Sequence, residues 1–306
     1  MQRILDPAQI EALASRAVPR LVLPRREGPF AARAERLRQL AARDPLGGYL
    51  TLIAAVAEAQ HAALRALAVP PPDAAALAAA RVHAMPLLPA RGLARGAEWR
   101  AVLAQIATAV AAAPGFPPTV AQVCARLLAA APGDLEPLAD RLLAADGMDA
   151  DAATAPFVVA ALQVYWVALA AGLEPGELAT AASGRLCPVC GTAPVASIVR
   201  TGAPYAGYRY LHCGLCASEW HRVRVECTQC GATRGVAYQS IEGGAAAIRA
   251  ETCDDCRSYR KIFYQEHDAA VEPLADDLAS VALDLLLGEA GFHRASANPL
   301  LWQPAA

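Results

Sequence analysis

Lysine is almost missing from this chain. Lys261 is the only one in 306 residues, although lysine and arginine together number 27. The glycine-rich phosphate loop that ends in Gly-Lys-Ser/Thr is therefore absent, and with it most lysine-dependent cofactor chemistry. Phosphoryl transfer is disfavoured. Net charge is scarce as well: 29 acidic residues against those 27 basic ones leave −2. No overall field holds such a chain on nucleic acid or an anionic membrane, so a partner must be recognised locally. Residues 1–20 carry Asp6 and Glu11 where a secretory signal needs an unbroken apolar stretch, and they lack its basic start and small-residue cleavage pattern. We read no export signal and expect a cytoplasmic protein.

Apolar residues make up 56% of the chain and charged ones 18%. At roughly 150 residues per domain the length allows two domains with cores of their own, which disfavours both disorder and a disulfide-stapled miniprotein. Residues 152–173 carry no charge and are long enough to span a bilayer. They contain Pro156 and Gln163, are largely alanine, and begin beside Asp149 and Asp151. That composition predicts a buried central helix and no membrane span.

Residues 1–183 read as one helix after another. Asp6-Pro7 is a helix start, with a capping carboxylate ahead of a proline that needs no amide partner. Further helices are predicted over 30–43, 48–68, 73–84, 97–113, 119–131, 134–145 and 152–172, separated by Pro-Pro, Pro-Gly and Asp-Gly pairs. Within 48–68, Leu50, Ile53, Ala57, Leu64 and Leu67 recur at helical spacing while Glu58 and Arg65 fall off the stripe. From Gly184 alanine thins out, and alternation replaces the helical period, as over 220–225 with His221, Val223 and Val225 on one face. A last helix is predicted over 273–287, with Leu274, Leu278, Val281 and Leu285 on one face, Asp276, Asp277 and Asp284 off it, and Gly288 ending it. The expected fold class is mainly α with a small β metal-ribbon domain. A helical bundle over 1–183 precedes tandem four-cysteine ribbons over 184–262, divided into 184–222 and 223–262. The segment 263–306 packs back on the bundle.

Eight of the nine cysteines form four Cys-x-x-Cys pairs: Cys187/Cys190, Cys213/Cys216, Cys227/Cys230 and Cys253/Cys256. The first two pairs recur at one constant offset as the last two, Cys187 answering to Cys227 and Cys213 to Cys253, and Gly191 and Gly231 follow the leading pair of each copy. Two residues between cysteines aim both sulfurs into one knuckle, and a hairpin joins two knuckles into a tetrahedron. The predicted hairpins run over 196–200 and 208–212, then over 235–241 and 246–252. Four pairs can be shared between two sites in three ways, one of them cross-braced; the repeat favours Cys187, Cys190, Cys213 and Cys216 as one site and Cys227, Cys230, Cys253 and Cys256 as the other. Four disulfides or a reactive dithiol fit a duplicated cytoplasmic ribbon less well. Each site takes one metal ion, and tetrahedral thiolate suits zinc or a single iron. His212 and His221 are expected on the ribbon surface, since Thr252 and Lys261 stand at the matching positions of the second copy. Cys124 is expected in packing, and His61, His83, His267 and His293 show no ligand spacing.

The run Arg249-Ala-Glu-Thr-Cys-Asp-Asp-Cys-Arg-Ser-Tyr-Arg-Lys-Ile-Phe-Tyr264, followed by Asp268 and by Val271-Glu-Pro-Leu-Ala-Asp-Asp-Leu-Ala-Ser280, strongly resembles the formate dehydrogenase accessory protein FdhE family. So do Cys187-Pro-Val-Cys-Gly191, Tyr210-Leu-His-Cys-Gly-Leu-Cys216 with Glu219-Trp220-His221, Gly291-Phe-His-Arg294 with Asn298-Pro299, and Pro45-Leu-Gly-Gly-Tyr-Leu50. The resemblance spans most of the chain from about Phe30 onward. It implies a cytoplasmic accessory factor, not an enzyme, that binds the catalytic subunit of formate dehydrogenase during maturation and senses or adjusts its redox state. It also implies rubredoxin-like sites that hold iron. On that reading Asp254, Asp255 and Tyr259 are candidates for the partner contact, with a solvated turn and a packed ring as the alternative. The residues set no oligomeric state.

Two rivals come from other classes. A nucleic-acid-binding zinc ribbon would use Tyr205, Tyr208 and Tyr210 for stacking. Ten basic residues against six acidic ones in 184–262, with a charge of about −2 for each divalent ion held by four thiolates, leave that domain near neutral. The tyrosines are then expected to pack the hairpin. A thiol or iron redox enzyme would need a reactive pair, and the chain shows no dinucleotide loop, serine elbow or paired catalytic carboxylates.

Overall fold

The computed structural model describes residues 18–144, 152–174 and 184–301; the helix start predicted at Asp6-Pro7 lies outside them. After a short strand, β1 (Leu21–Val22), come seven helices: α1 (Pro29–Ala41), α2 (Gly47–Ala66), α3 (Ala74–Val82), α4 (Glu98–Ala112), α5 (Pro118–Ala129), α6 (Pro132–Leu143) and α7 (Ala155–Ala170). Each helix predicted between 30 and 172 is present. Prolines open α1, α5, α6 and α7, where the missing amide costs no hydrogen bond, and the Asp73 carboxylate caps α3 by accepting from the Ala76 amide.

All 16 residues of α7 are buried, which is why this stretch carries no charge. It is packed by α2, α4 and α6, and its three polar side chains are satisfied inside the protein, the Tyr165 hydroxyl accepting from the Gly96 amide at 3.0 Å. Gln163 accepts from Gln60 Nε2 at 2.9 Å and donates to the Gly214 carbonyl at 2.6 Å. Trp166 Nε1 donates to the Leu88 carbonyl at 2.9 Å. No helix among the described residues is long and apolar enough to cross a membrane.

The second half is built on strands β2 (Pro194–Val199), β3 (Arg209–Cys213), β4 (Glu219–His221), β5 (Val236–Gln239), β6 (Ile248–Cys253), β7 (Ser258–Tyr264) and β8 (His293–Arg294), with α8 (Pro273–Leu278) and α9 (Val281–Glu289) before β8. The two predicted ribbons merge into one sheet of order β1-β4-β3-β2-β7-β6-β5, and β8 pairs with β7. The joint between the copies is parallel: Ser197, Ile198 and Val199 of β2 pair with Ile262, Phe263 and Tyr264 of β7. The copies are thus related head to tail, the first strand of one against the third strand of the other.

One apolar core runs from the bundle through the first ribbon (Val189, Ile198, Tyr210, Leu211) to Leu274 and Leu278 of α8. The second ribbon adds a small cluster of its own with α9, made of Ala250, Tyr259, Leu283 and Leu287.

Three expectations are corrected. The strand expected over 220–225 stops at His221, because its neighbour β3 begins at Arg209, whose carbonyl takes the Arg222 amide as the last rung; beyond it the Arg209 guanidinium takes the Val223 and Glu226 carbonyls. Val223 and Val225 are left exposed. The last helix is broken in two at Ala279-Ser280. The Asp277 carbonyl, which an unbroken helix presents to the Val281 amide, receives Lys261 Nζ at 2.9 Å, and the Ser280 carbonyl receives it at 3.0 Å. Asp276 and Asp277 are fully buried, not solvated. Arg36 of α1 grips Asp276, while Lys261, Arg294 and Asn298 surround Asp277.

Candidate metal centres

The leading knuckle is held by the same backbone bonds in both copies. The Gly191 amide donates to the Cys187 carbonyl and the Cys187 amide to Thr192; Gly231 and Cys227 repeat this with Cys227 and Ala232. The turn needs a left-handed residue, and Gly191 and Gly231 sit at φ of 76° and 85°. In the returning knuckles that conformation falls to Ala217 and Arg257, at 57° and 54°.

The four Sγ atoms of Cys187, Cys190, Cys213 and Cys216 lie within 4.8 Å of one another, as do those of Cys227, Cys230, Cys253 and Cys256. Cys187 to Cys216 is 3.5 Å and Cys190 to Cys213 is 3.4 Å; Cys227 to Cys256 and Cys230 to Cys253 are both 3.7 Å. A tetrahedron with metal–sulfur bonds of about 2.3 Å has edges of about 3.8 Å, whereas a disulfide closes to about 2.05 Å. All eight are free thiols. The donor set and its spacing fit one tetrahedral ion per site, and thiolate alone does not decide between zinc and iron.

Crowding sets the electrostatics. Burial, together with the neighbouring thiols, pushes Cys187 well up. Burial also opposes ionisation of Cys213, yet bonds from Cys187, Cys190, Cys216 and Thr192 hold it well down. At the second site burial raises Cys256, but the hydroxyl and amide of Ser258 bring it to about 7. Four thiolates this close need a cation among them to ionise together.

The two sites differ in shelter. At the first, all four cysteines are buried, and the knuckle is strapped to the bundle: Leu88 and Ala90 amides donate to the Val189 and Cys190 carbonyls, with Leu88 itself tied to Trp166 of α7. At the second, Cys230 and Cys256 are half-buried. Arg260 braces the two sites, its guanidinium reaching Thr228 Oγ1 at 3.1 Å and the Pro194 carbonyl.

Asp254 and Asp255 stand exposed on the second site's returning knuckle. Tyr259 does not join them. It is buried, and its hydroxyl donates to Asp284 at 2.7 Å, so it is the packed ring and not a surface contact. His212, expected on the surface, is buried with Nδ1 on Glu219 at 2.8 Å. Although burial opposes it, Arg200 and His212 hold the Glu219 carboxylate down to about 2. Cys124 is buried in α5 as expected. Tyr205, Tyr208, Tyr210 and His221 pack edge to face on the hairpin.

Two groups escaped the sequence reading. Ser218 and Ser258 each bond the sulfur two residues before, at 3.2 and 3.0 Å, and their equivalent places in the two copies were the available signal. The buried charges around α8 were signalled only by the chain's single lysine.

A helical bundle joined to a duplicated four-thiolate sheet defines a class of metal-site scaffold. Models of FdhE match in three parts: N-terminal over residues 18–183, central domain over 186–224, and C-terminal domain over 225–301. An FdhE homolog from Cronobacter sakazakii is 40% identical over 98% of this chain and 97% of its own, and one from Edwardsiella ictaluri is 43% identical over 92% and 91%. The crystal structure of the FdhE protein from Pseudomonas aeruginosa matches with a TM-score of 0.85 at 40% identity, covering 94% of this chain and all of that one. The chain belongs to the FdhE family.

Proposed function

We propose that this chain is a cytoplasmic accessory factor that binds the catalytic subunit of formate dehydrogenase during its maturation, and that it is not itself an enzyme. The observation that carries this reading is family membership over nearly the whole chain with all eight paired cysteines gathered into two sites. Each site holds one ion, iron or zinc, through Cys187, Cys190, Cys213 and Cys216 or through Cys227, Cys230, Cys253 and Cys256. The working units are the bundle (1–183), the ribbons (184–262) and the closing segment (263–306). Asp254 and Asp255 remain candidate partner contacts.

The first site is built into the core and serves folding. The second, half-open, is where a metal can matter beyond folding, because solvent and a docked chain both reach it. The test combines metal analysis and visible absorption of protein purified without oxygen with capture of the catalytic subunit. The same capture is run with a variant carrying Cys253→Ser and Cys256→Ser. About two metals per chain, iron–thiolate bands and capture lost in the folded variant are expected for a redox-linked role. Zinc with unchanged capture reduces the ribbons to scaffolding; no capture by the wild-type chain removes the accessory reading.

A further inference from the structure

The head-to-tail repeat leaves its two ends unequal. At one end β4 is closed by β1, with Leu21 and Val22 paired to Trp220 and Glu219. The outer side of β7 is also used, by β2 along Ile262 to Tyr264 and by β8 at Ser258 and Tyr259. At the other end, β5 has β6 on one side and no strand on the other among the described residues, and Ala237, Tyr238 and Gln239 are exposed.

The molecule itself shows what such an edge accepts. Leu211 of β3 pairs with Ser197, and Glu251, its counterpart on β6 in the second copy, pairs with Tyr238. Tyr238 therefore takes in the second copy the place Ser197 has in the first, and Ser197 is where a parallel strand, β7, docks. The backbone agrees. The Gly235 carbonyl receives the Asp254 amide and so points at β6, which turns the amides of Val236 and Tyr238 to the open side. The flank offers two apolar side chains: the Tyr238 hydroxyl holds the carbonyl of the exposed Arg224 at 3.0 Å, and the residues on either side of it, Val223 and Val225, are 52% and 71% exposed.

We propose that β5 is the docking edge for the partner, which adds an extended segment parallel to β5 with an apolar side chain against Val223 and Val225. This rests on the accessory reading above. A second copy continuing the repeat is not the occupant, because the strand it would offer, β4, already carries β1; pairing of β5 with β5 of another copy is separated from partner docking by the oligomeric state of the variants below. Docking here also places the partner segment beside the half-open second site, since Gly235 at the start of the edge abuts Asp254 and Asp255 of its returning knuckle.

The experiment is capture of the catalytic subunit by the full chain and three variants, with metal content and melting temperature measured on each. Tyr238→Pro removes the outward amide without touching the β6 ladder. Tyr238→Phe keeps that amide, and Val225→Glu alters only the flank. Tyr238→Pro and Val225→Glu are expected to weaken capture about tenfold or more at unchanged metal content, and Tyr238→Phe, which gives up only the hydroxyl on the Arg224 carbonyl, to weaken it less than Tyr238→Pro. Wild-type capture by a folded, metal-loaded Tyr238→Pro variant overturns the proposal. So does loss of capture only where metal is also lost, with Val225→Glu unaffected. A wild-type dimer that Tyr238→Pro turns into a monomer without changing capture overturns it as well, by making β5 a self-pairing edge. No capture by any form, wild type included, sinks the accessory reading and this proposal with it.

Discussion

The single lysine makes the junction between sheet and last helices testable from inside. Lys261 Nζ donates to the Asp277 and Ser280 carbonyls at 2.9 and 3.0 Å and to Asp284 at 2.7 Å, and it lies 3.4 Å from the Asp277 carboxylate. Arg294 completes the group by pairing with Asp277 and Asp284. Two cations thus balance two carboxylates in a site where Lys261 and Asp277 are inaccessible to solvent. Asp277→Asn leaves two cations for one carboxylate. An uncompensated buried charge costs about 3–5 kcal/mol; because Arg294 is 17% exposed, the lower figure, about 3 kcal/mol, is the expected one. That raises the population of the opened junction roughly 150-fold. The assay is a pulse of amine-reactive ester on the native chain, read by mass spectrometry at Lys261, where labelling tracks the open fraction when reclosing is fast. Wild-type Lys261 should resist the reagent while the α-amino group reacts, and Asp277→Asn should label about two orders of magnitude faster. Equal labelling in the two proteins, or labelling of wild-type Lys261 at the rate of a free amine, would refute the reasoning.

Stepwise chelation should release the ion held by Cys227, Cys230, Cys253 and Cys256 first, because Cys230 and Cys256 are half-buried while the other site is enclosed; timed alkylation with peptide mapping should modify those four thiols well before Cys187 and Cys213, and simultaneous modification would contradict it. Glu219 titrates at about 2 in the fold against an ordinary 4.5, so its stabilisation, about 3 kcal/mol at most, is complete above the ordinary value and is lost as pH falls toward 2. Glu219→Gln should be less stable at neutral pH and should flatten the acid limb of a urea-midpoint profile, although the buried Asp276, whose carboxyl is raised by burial, contributes with the opposite sign. Gly191→Ala forces a Cβ into a φ of 76° and to 3.0 Å from Pro86, and should cost about 1–2 kcal/mol in urea unfolding. Gly133→Ala, with open space around it, should cost nothing.

Local chemistry was legible and its sharing between elements was not. Proline at first turns, the Asp73 cap and the Leu50, Ile53, Leu64 stripe each act within one helix, so the pattern alone placed those helices. The Cys-x-x-Cys spacing and Gly191 and Gly231 likewise act within one knuckle. Asp276 and Asp277 misled because hydropathy reads a carboxylate as solvated, whereas their partners Arg36, Lys261 and Arg294 come from three distant elements. Lys261 breaks the last helix by taking a carbonyl, and no periodicity within that helix carries the signal. His212 has threonine, Thr252, as its counterpart in the second copy, so the repeat says nothing of its surroundings. Its burial follows from Glu219 and Arg200, a contact that belongs to the first copy alone.

That difference between copies follows from the symmetry. Two ribbons related by a twofold axis would present the same strand to each other and leave their sites equivalent; ribbons joined head to tail use opposite edges and cannot. The first copy gives β2 to β7, β4 to β1 and its leading knuckle to the strap that Trp166 holds, so its thiolates become part of the main core. The second copy, last in the row, keeps β5 free of a further strand among the described residues, rests on the small cluster with α9, and leaves two of its four sulfurs within reach of solvent. Opening the first site requires disrupting the bundle, whereas the second can open with its own hairpin, and local unfolding is set by how much apolar surface each unit buries. Duplication of one Cys-x-x-Cys knuckle pair has in this way produced an enclosed four-thiol site and an accessible one, with the open sheet edge beside the accessible one.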